Sequence, residues 1–541
     1  MVRKSILALL CIILVGGSIL RFYGIDWGVP RPPYWRYHYQ DEGFTLGLIL
    51  RMEPSELNPH YFINPTFHYY TLLLSVKIAS VLGYIQPFSL PIRTNNLGQP
   101  LDGVSLPDYA RMFYVGRIVS ILQGVLLIFL VFLIGRNLYS AVVGLLAAAL
   151  TAVLPTLVFQ SHMFVVDAPG VFWLTVAFWF LTTRARRTKE VLWYVIAGIF
   201  IGIAVGTKYT NILIIIPFFC RVYMTNHKAK TAFLGKIFAK STFLTCAVAI
   251  AVFFLTSPHI GLSFNEFLYG DSDGFGGIFG ERGFFTYNRY GINLLSPFTV
   301  STFHSLLLPL TIAAVLGICY LIYQKKDSDI LLLTYIVPFY VLLVLNASPH
   351  LRHFLSVLPF LMLATGRLLA DMITYKKHRI VQCVGIFILT IVVLHPLAFS
   401  LAFLKRMDTY DTRIECADWI KKNLTEEAVI GVATFFRFNY TPPFETFTRN
   451  FVVTDYDYQK LLQTEPHFFL ITEYEYKECR HTRRSTYACR RFIQRLFSEE
   501  HYRIVKVFKK DFSLAGIDIQ PHFPLSWNPV SPTIYVFIPK S

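Results

Sequence analysis

Two adjacent carboxylates beside a histidine, in Tyr37-His38-Tyr39-Gln40-Asp41-Glu42-Gly43-Phe44, follow the first apolar segment of a 541-residue chain. Ionised groups this close to a bilayer are costly to hold unless they bind or catalyse something. A carboxylate whose proton affinity lies near the working pH serves as a general base, and Asp41 is the candidate for that task, with Glu42 as its tuning or orienting neighbour. Three more charges open apolar segments: Asp167, Lys208 and Arg352. A cation at mid-membrane costs about 2.5–3.5 kcal/mol on insertion scales, so Lys208 and Arg352 are expected at the interface, facing a partner. A plainer reading stands beside each: Asp167 suits the dipole of a helix N-terminus, and the two cations suit snorkelling to the interface. His60, His162, His350 and His353 lie in the same stretches. With Asp41 and Asp167 they offer ligands that suit zinc or manganese, but no tight spacing singles out a site, so a divalent metal ion stays open.

The elements that must position these residues are membrane helices. Hydrophobic residues make up 54% of the chain and charged ones only 15%, well below the quarter usual for soluble domains. Apolar runs of about 17–25 residues suit helices rather than an outer-membrane barrel. The formal charge of +17 invites a nucleic-acid reading. The basic residues, however, fall in blocks between apolar runs, at Arg184–Lys189, Lys228–Lys240, Lys325-Lys326 and Lys376–Arg379, as the positive-inside rule produces. They report topology, and no nucleic-acid partner is expected.

Counting outward from these blocks gives an uncleaved first span with its basic end, Arg3-Lys4, in the cytoplasm, and the Asp41 loop outside. Two spans at about 112–135 and 139–158 precede one starting at Asp167. The stretch Thr66–Phe88 then has both ends outside and is expected to lie in the outer interface. The expectation is a polytopic α-helical protein of about eleven transmembrane helices, with a competing count in which 66–88 crosses and the Pro155 segment splits. Two outer segments are long, about 22–111 and 258–299. The second holds Gly270-Asp271-Ser272-Asp273-Gly274-Phe275-Gly276-Gly277-Ile278-Phe279-Gly280, a composition that suits a mobile lid. Residues 404–541 are more polar and alternate helix-like and strand-like stretches, as expected of a small extracytoplasmic α/β domain following the 1–403 membrane domain. Its Cys479 and Cys489 are spaced for a disulfide if that side is oxidising.

Taken in order, the outer-loop Asp41-Glu42, then Asn58-Pro59-His60-Tyr61-Phe62-Ile63-Asn64-Pro65-Thr66-Phe67-His68-Tyr69, Ser161-His162-Met163-Phe164-Val165-Val166-Asp167-Ala168-Pro169, Gly206-Thr207-Lys208-Tyr209-Thr210 and Ser348-Pro349-His350-Leu351-Arg352-His353 resemble the GT-C membrane glycosyltransferases. The likeness is to the branch holding the protein O-mannosyltransferases and the lipid A aminoarabinose transferase, and it covers roughly residues 1–400. It implies transfer of a sugar from a polyprenyl-phosphate carrier, in the manner of dolichyl-phosphate-mannose, to a protein, lipid or glycan acceptor at the outer face. Asp41 then matches the family's catalytic aspartate and takes the acceptor hydroxyl proton during inverting attack. Asp167 helps build the site, and Lys208 and Arg352 neutralise the leaving phosphate. Tyr209, His60, His162 and His350 become substrate-binding candidates. The family's Lys-Pro-Pro or His-Pro-Pro element is here Ile63-Asn64-Pro65-Thr66, without its charged member, and the β-trefoil insert of the eukaryotic mannosyltransferases is absent from the sequence.

A transporter or flippase of a lipid-linked or anionic substrate is the rival class. Transporters often show repeats and broken midplane helices, whereas these spans do not repeat and the charges gather on one face. A non-catalytic assembly subunit is a third reading, in which the acidic loop is dispensable. A prokaryotic plasma or inner membrane is the expected location.

Overall fold

The structure is a computed structural model that describes residues 2–540 apart from 96–97, 184–189, 226–238, 272–275, 281–293, 295–305, 346–350, 409, 424–427, 435–439, 445–447, 449, 482–486, 512, 515–516 and 519–529. The chain forms two compact units. The first comprises Met1–Ile25 and Asp41–Ser400, and the second Asp26–Gln40 and Leu401–Ser541.

The first unit is helical. Its leading helices are α1 (Val2–Phe22), α2 (Gln40–Arg51), α3 (Phe67–Val81), α4 (Leu106–Leu138), α5 (Ala141–Val153), α6 (Pro155–Ser161), α7 (Asp167–Thr182), α8 (Glu190–Thr207) and α9 (Ile215–Thr225). Among the described residues, five helices are long and apolar enough to cross a bilayer: Lys4–Phe22, Leu106–Leu138, Asp327–Leu345, Leu351–Ile373 and Arg379–Asn423. Counting the bent pair α5–α6 as one span gives up to six. Shorter apolar helices cover Asp167–Thr182, Val191–Thr207, Tyr209–Met224, Lys240–Thr256 and Leu308–Gln324. The chain is an integral membrane protein. α3 has 15 residues. At 1.5 Å per residue it reaches about 22 Å, short of the roughly 30 Å hydrocarbon layer.

One expected span departs from the sequence reading. The stretch at about 139–158 is not one helix but α5 and α6, bent by 64° at Leu154. Pro155 has no N–H, so the helix loses a donor there and nearby carbonyls are orphaned. Buried Arg21 repairs the break: its guanidinium donates to the carbonyls of Thr151 at 3.2 Å and Ala152 at 3.0 Å, and to Gly17 at 3.0 Å. The Ser400 hydroxyl donates to the Val153 carbonyl at 2.7 Å. Without water, such carbonyls must be met by the protein itself.

Among the described residues the second unit holds seven strands: β1 (Ile430–Val432), β2 (Phe451–Val453), β3 (Phe468–Thr472), β4 (Tyr502–Phe508), β5 (Ser513–Leu514), β6 (Ile517–Asp518) and β7 (Ile534–Pro539). Five form one sheet in the order β2-β1-β3-β7-β4, parallel from β2 to β3 and antiparallel at β7. The helix Tyr487–Phe497 covers it with Phe492, Ile493 and Leu496 against Phe469 and Phe537. Cys479 and Cys489 are disulfide-bonded, with Cα atoms 5.5 Å apart. His38 belongs to this unit, 3.9 Å from Asp411, which also pairs with Arg413 at 2.8 Å. Burial, reinforced by the Arg413 charge, pushes His38 down to about 3. Burial works against Asp411, yet Arg413 holds its carboxyl well below the usual range.

Candidate active site

Neighbouring residues on a helix diverge by about 100°, so Asp41 and Glu42 at the start of α2 cannot face the same way. The Asp41 side chain is 42% exposed and pairs with Arg352, whose side chain lies in the short 3₁₀ helix Leu351–Val357. Glu42 turns inward and is fully buried. There it accepts both prongs of the Arg117 guanidinium, from Nε at 2.9 Å and Nη2 at 2.6 Å. Arg117 is itself fully buried and donates its third nitrogen to the Ile25 carbonyl at 2.7 Å. The Phe164 N–H also donates to Glu42, at 3.4 Å. Glu42 therefore ties α2 to α4 and to the segment before α7.

That segment, 162–166, must approach α4 closely. A Cβ added to Gly116 would stand 2.6 Å from the Phe164 ring, and one on Gly124 would stand 2.3 Å from the Ser161 hydroxyl. The Phe164 carbonyl lies 2.8 Å from His68 Nε2. So fixed, the segment delivers Asp167 to the first turn of α7, where its buried carboxylate accepts from Lys208 Nζ at 2.6 Å. Lys208 follows the end of α8, and Asn211 secures that turn by donating to the carbonyls of Gly170 at 2.9 Å and Ala204 at 3.0 Å.

The two pairs share surroundings. Asp167 feels the charges of Arg352 and His353 as well as Lys208. Buried Tyr69, whose hydroxyl bonds the Asn64 side chain, lies in electrostatic reach of Asp41, Asp167 and Tyr209. The Tyr209 hydroxyl donates to the Phe62 carbonyl at 3.0 Å. Tyr69 is thus in electrostatic reach of both carboxylates, each of which holds a cation, Arg352 on Asp41 and Lys208 on Asp167. Asn64, standing where the resemblance implies a cation, places a neutral amide there.

His162 is buried, with Nδ1 2.9 Å from the Val158 carbonyl and Nε2 2.8 Å from the Tyr23 carbonyl. A neutral ring donates to one of these two carbonyls, and in doing so it lies between the α6 turn and the end of α1. His60 is at the outer margin, its side chain 57% exposed and paired with Glu266 at 2.6 Å. His350 lies outside the described residues, as do most of the segment 258–299 expected to form a lid and the basic block at 184–189. Arg117 and Tyr69 were not singled out from the sequence. Arg117 had a signal, a charge inside an otherwise apolar span; Tyr69 had none, in a run of aromatics.

Among the described residues, no three His, Cys, Asp or Glu side chains come together as a metal site. Asp41, Glu42 and Asp167 are each engaged by a cation. Among the described residues, this donor set does not fit a resident metal ion.

Residues 112–260, which include Arg117, Asp167 and Lys208, match the family described as Dolichyl-phosphate-mannose-protein mannosyltransferase. No curated protein sequence matches the chain. In fold it is similar to the Archaeoglobus fulgidus oligosaccharyltransferase in complex with zinc and sulfate, at 15% identity and a TM-score of 0.51 over 87% of this chain and 68% of that one. The same archaeal enzyme, AglB, with an inhibitory peptide and a dolichol-phosphate, gives 14% identity and a TM-score of 0.50 over 88% and 70%. ArnT from Cupriavidus metallidurans bound to undecaprenyl phosphate aligns over 99% of this chain and 98% of that one, at 12% identity and a TM-score of 0.45.

Proposed function

We propose that this chain, a membrane glycosyltransferase of the GT-C type, moves a sugar from a polyprenyl-phosphate donor to an acceptor at the extracytoplasmic face, with inversion and with Asp41 as general base. The observation that carries the reading is the pairing of Asp41 with Arg352 and of Asp167 with Lys208, with the Arg352 charge also reaching Asp167. The acceptor oxygen attacks the anomeric carbon, its proton passes to Asp41, and the bond from that carbon to the phosphate oxygen breaks. The charge left on the lipid phosphate falls to Arg352 and Lys208, fork and point charge respectively. Donor phosphate competes with Asp41 for Arg352, and the carboxylate so released is the one that must take the proton. Asp167 holds Lys208 in place, and Glu42, locked by Arg117, sets the direction in which Asp41 leaves α2.

The dolichol-phosphate held by the archaeal structural neighbour supports a lipid-phosphate donor. The charge blocks support eleven crossings with α3 in the outer interface and residues 404–541 outside, in a prokaryotic plasma or inner membrane. Purified protein offered a panel of polyprenyl-phosphate sugars tests the proposal. Consumption of at least one donor by wild type, and its loss in Asp41→Asn, is expected; a panel left untouched overturns the enzyme reading, and full turnover by the variant removes Asp41 as base.

A further inference from the structure

The described part of the second outer segment meets the first through several contacts, among them His259 Nε2 at 2.8 Å from the Glu56 carbonyl, and one of them is a carboxylate that the reaction above does not use. Glu266, in the short helix Phe264–Tyr269, accepts from Asn58 Nδ2 at its Oε2, at 3.1 Å, and lies 2.6 Å from His60 Nδ1 through its Oε1. Asn58 is buried, donates also to the Ser263 hydroxyl at 3.2 Å, and accepts from the His60 N–H at 3.0 Å. The turn so held is one the chain would not adopt freely: Leu57 and His60 have φ of 56° and 51°, the left-handed region that side chains disfavour. Just beyond it, the Phe62 N–H donates to the Gly276 carbonyl at 2.6 Å, and the Phe62 ring meets Phe267 edge-on at 5.9 Å. Gly276 itself runs at φ 87°, and a Cβ there would press on the His60 carbonyl at 3.1 Å.

The same Phe62 carries the contact with the site, since its carbonyl accepts the Tyr209 hydroxyl, one residue from Lys208. We infer that Glu266 is a positioning residue for donor binding: through Asn58 and His60 it fixes the 57–62 turn, and through the Phe62 carbonyl it sets Tyr209 beside the Lys208–Asp167 pair. The contacts form one continuous series from a loop on the second outer segment to the cation that meets the donor phosphate. Hydrogen bonds to a charged group are worth more than neutral ones, and a buried Asn58 left without its acceptor would have to find another, which is why one carboxylate suffices to order the turn.

The inference rests on the donor reading above, so its test has one arm that needs no turnover. In Glu266→Ala, amide hydrogen exchange across 56–66 is expected to rise about tenfold while α7 and the helix Leu358–Ile373 stay at wild-type rates, and Glu266→Gln, which keeps an acceptor for Asn58, should recover most of the protection. In the second arm, undecaprenyl monophosphate binding is measured by native mass spectrometry for Glu266→Ala, Tyr209→Phe and the double variant, with KM and kcat for whichever donor the panel identifies. Each single variant should weaken binding about tenfold and raise KM more than it lowers kcat, and the double should be no weaker than either single. Unchanged exchange in 56–66, or losses that multiply to about a hundredfold in the double variant, overturns the inference. If the Ala variant fails to fold, His60→Ala carries the same comparison, with Glu266→Gln as the near-wild-type control. If wild type consumes no donor at all, the functional proposal fails while the exchange arm still decides the role of Glu266.

Discussion

Replacing Glu42 should damage the fold before it damages the chemistry, and the size of the loss follows from its surroundings. Both members of the Glu42–Arg117 pair are fully buried, joined by two hydrogen bonds of 2.9 and 2.6 Å. Removing one partner of such a pair leaves a buried charge uncompensated, at a cost of about 3–5 kcal/mol. Glu42→Ala and Arg117→Met should each lower the melting temperature in detergent or nanodisc by several degrees, on the order of 5 °C for a unit this large. The double variant Glu42→Leu with Arg117→Met removes both charges, and it should melt above either single variant, because apolar replacement of a whole buried pair is often neutral. Fluorescence-detected size exclusion after a heat ramp reads all four proteins side by side. A Glu42→Ala protein that melts within a degree of wild type, or a double variant no better than the singles, would refute the assignment and return Glu42 to the solvent-facing, substrate-orienting role that its position next to Asp41 suggests.

Three further outcomes are expected. Asp41→Asn should cost about a hundredfold to ten-thousandfold in kcat with donor affinity kept or improved, because the phosphate no longer competes with a carboxylate for Arg352; a variant with unchanged kcat argues against the base assignment. Lys208→Met should weaken undecaprenyl-phosphate binding and also destabilise the helix α7 by stranding buried Asp167, whereas Lys208→Arg keeps the charge and should recover stability more than activity. The second unit should lose stability as pH falls from about 7. Its buried His38 is pushed down to about 3 from an ordinary 6.5, so the unfolded chain binds the proton first. That contribution is complete above about pH 6.5 and has lost about 3 kcal/mol by pH 4, a dependence that hydrogen exchange of β1 and β3 should show and His38→Gln should flatten.

Much of the architecture was readable because a bilayer simplifies the problem: a run such as Leu127–Ile134 has no stable home outside a membrane helix, and basic blocks give its direction. What local pattern could not supply was the repair of a broken element. Pro155 announces a break, but nothing near it says that Arg21, more than a hundred residues earlier, will supply the missing donors, so the 139–158 segment read as a single span. The histidines differ for a related reason. His60 and His162 are the same residue type in equally polar surroundings, and only the path of the backbone decides that two carbonyls close on His162 while His60 stays at the margin against Glu266. In the second unit the strand Ile430–Val432 sits in the apolar run 429–433 and β7 in the apolar run Ile534–Ile538, while Phe451–Val453 is too short a run to stand apart from the loop around it.

The ion pairs that define the site also set a condition on the chemistry. A free carboxylate and a free cation near hydrocarbon are each costly, and pairing them in advance is what lets Asp41, Asp167, Lys208 and Arg352 stand there in the absence of a donor. An oxygen taken up by a guanidinium is not open to another donor, so Asp41 presents it to the acceptor hydroxyl only when Arg352 is drawn away. Asp41 is 42% exposed and Arg352 29%, whereas the Asp167–Lys208 pair is almost closed at 7% and 10%. The more open pair is the one that can be exchanged, and the closed pair is the one that holds its cation still. On that argument the order of events is donor first, acceptor second: raising the concentration of a non-reactive polyprenyl phosphate should inhibit competitively against donor and not against acceptor, and competition with the acceptor instead would mean that Asp41 is released by some other means.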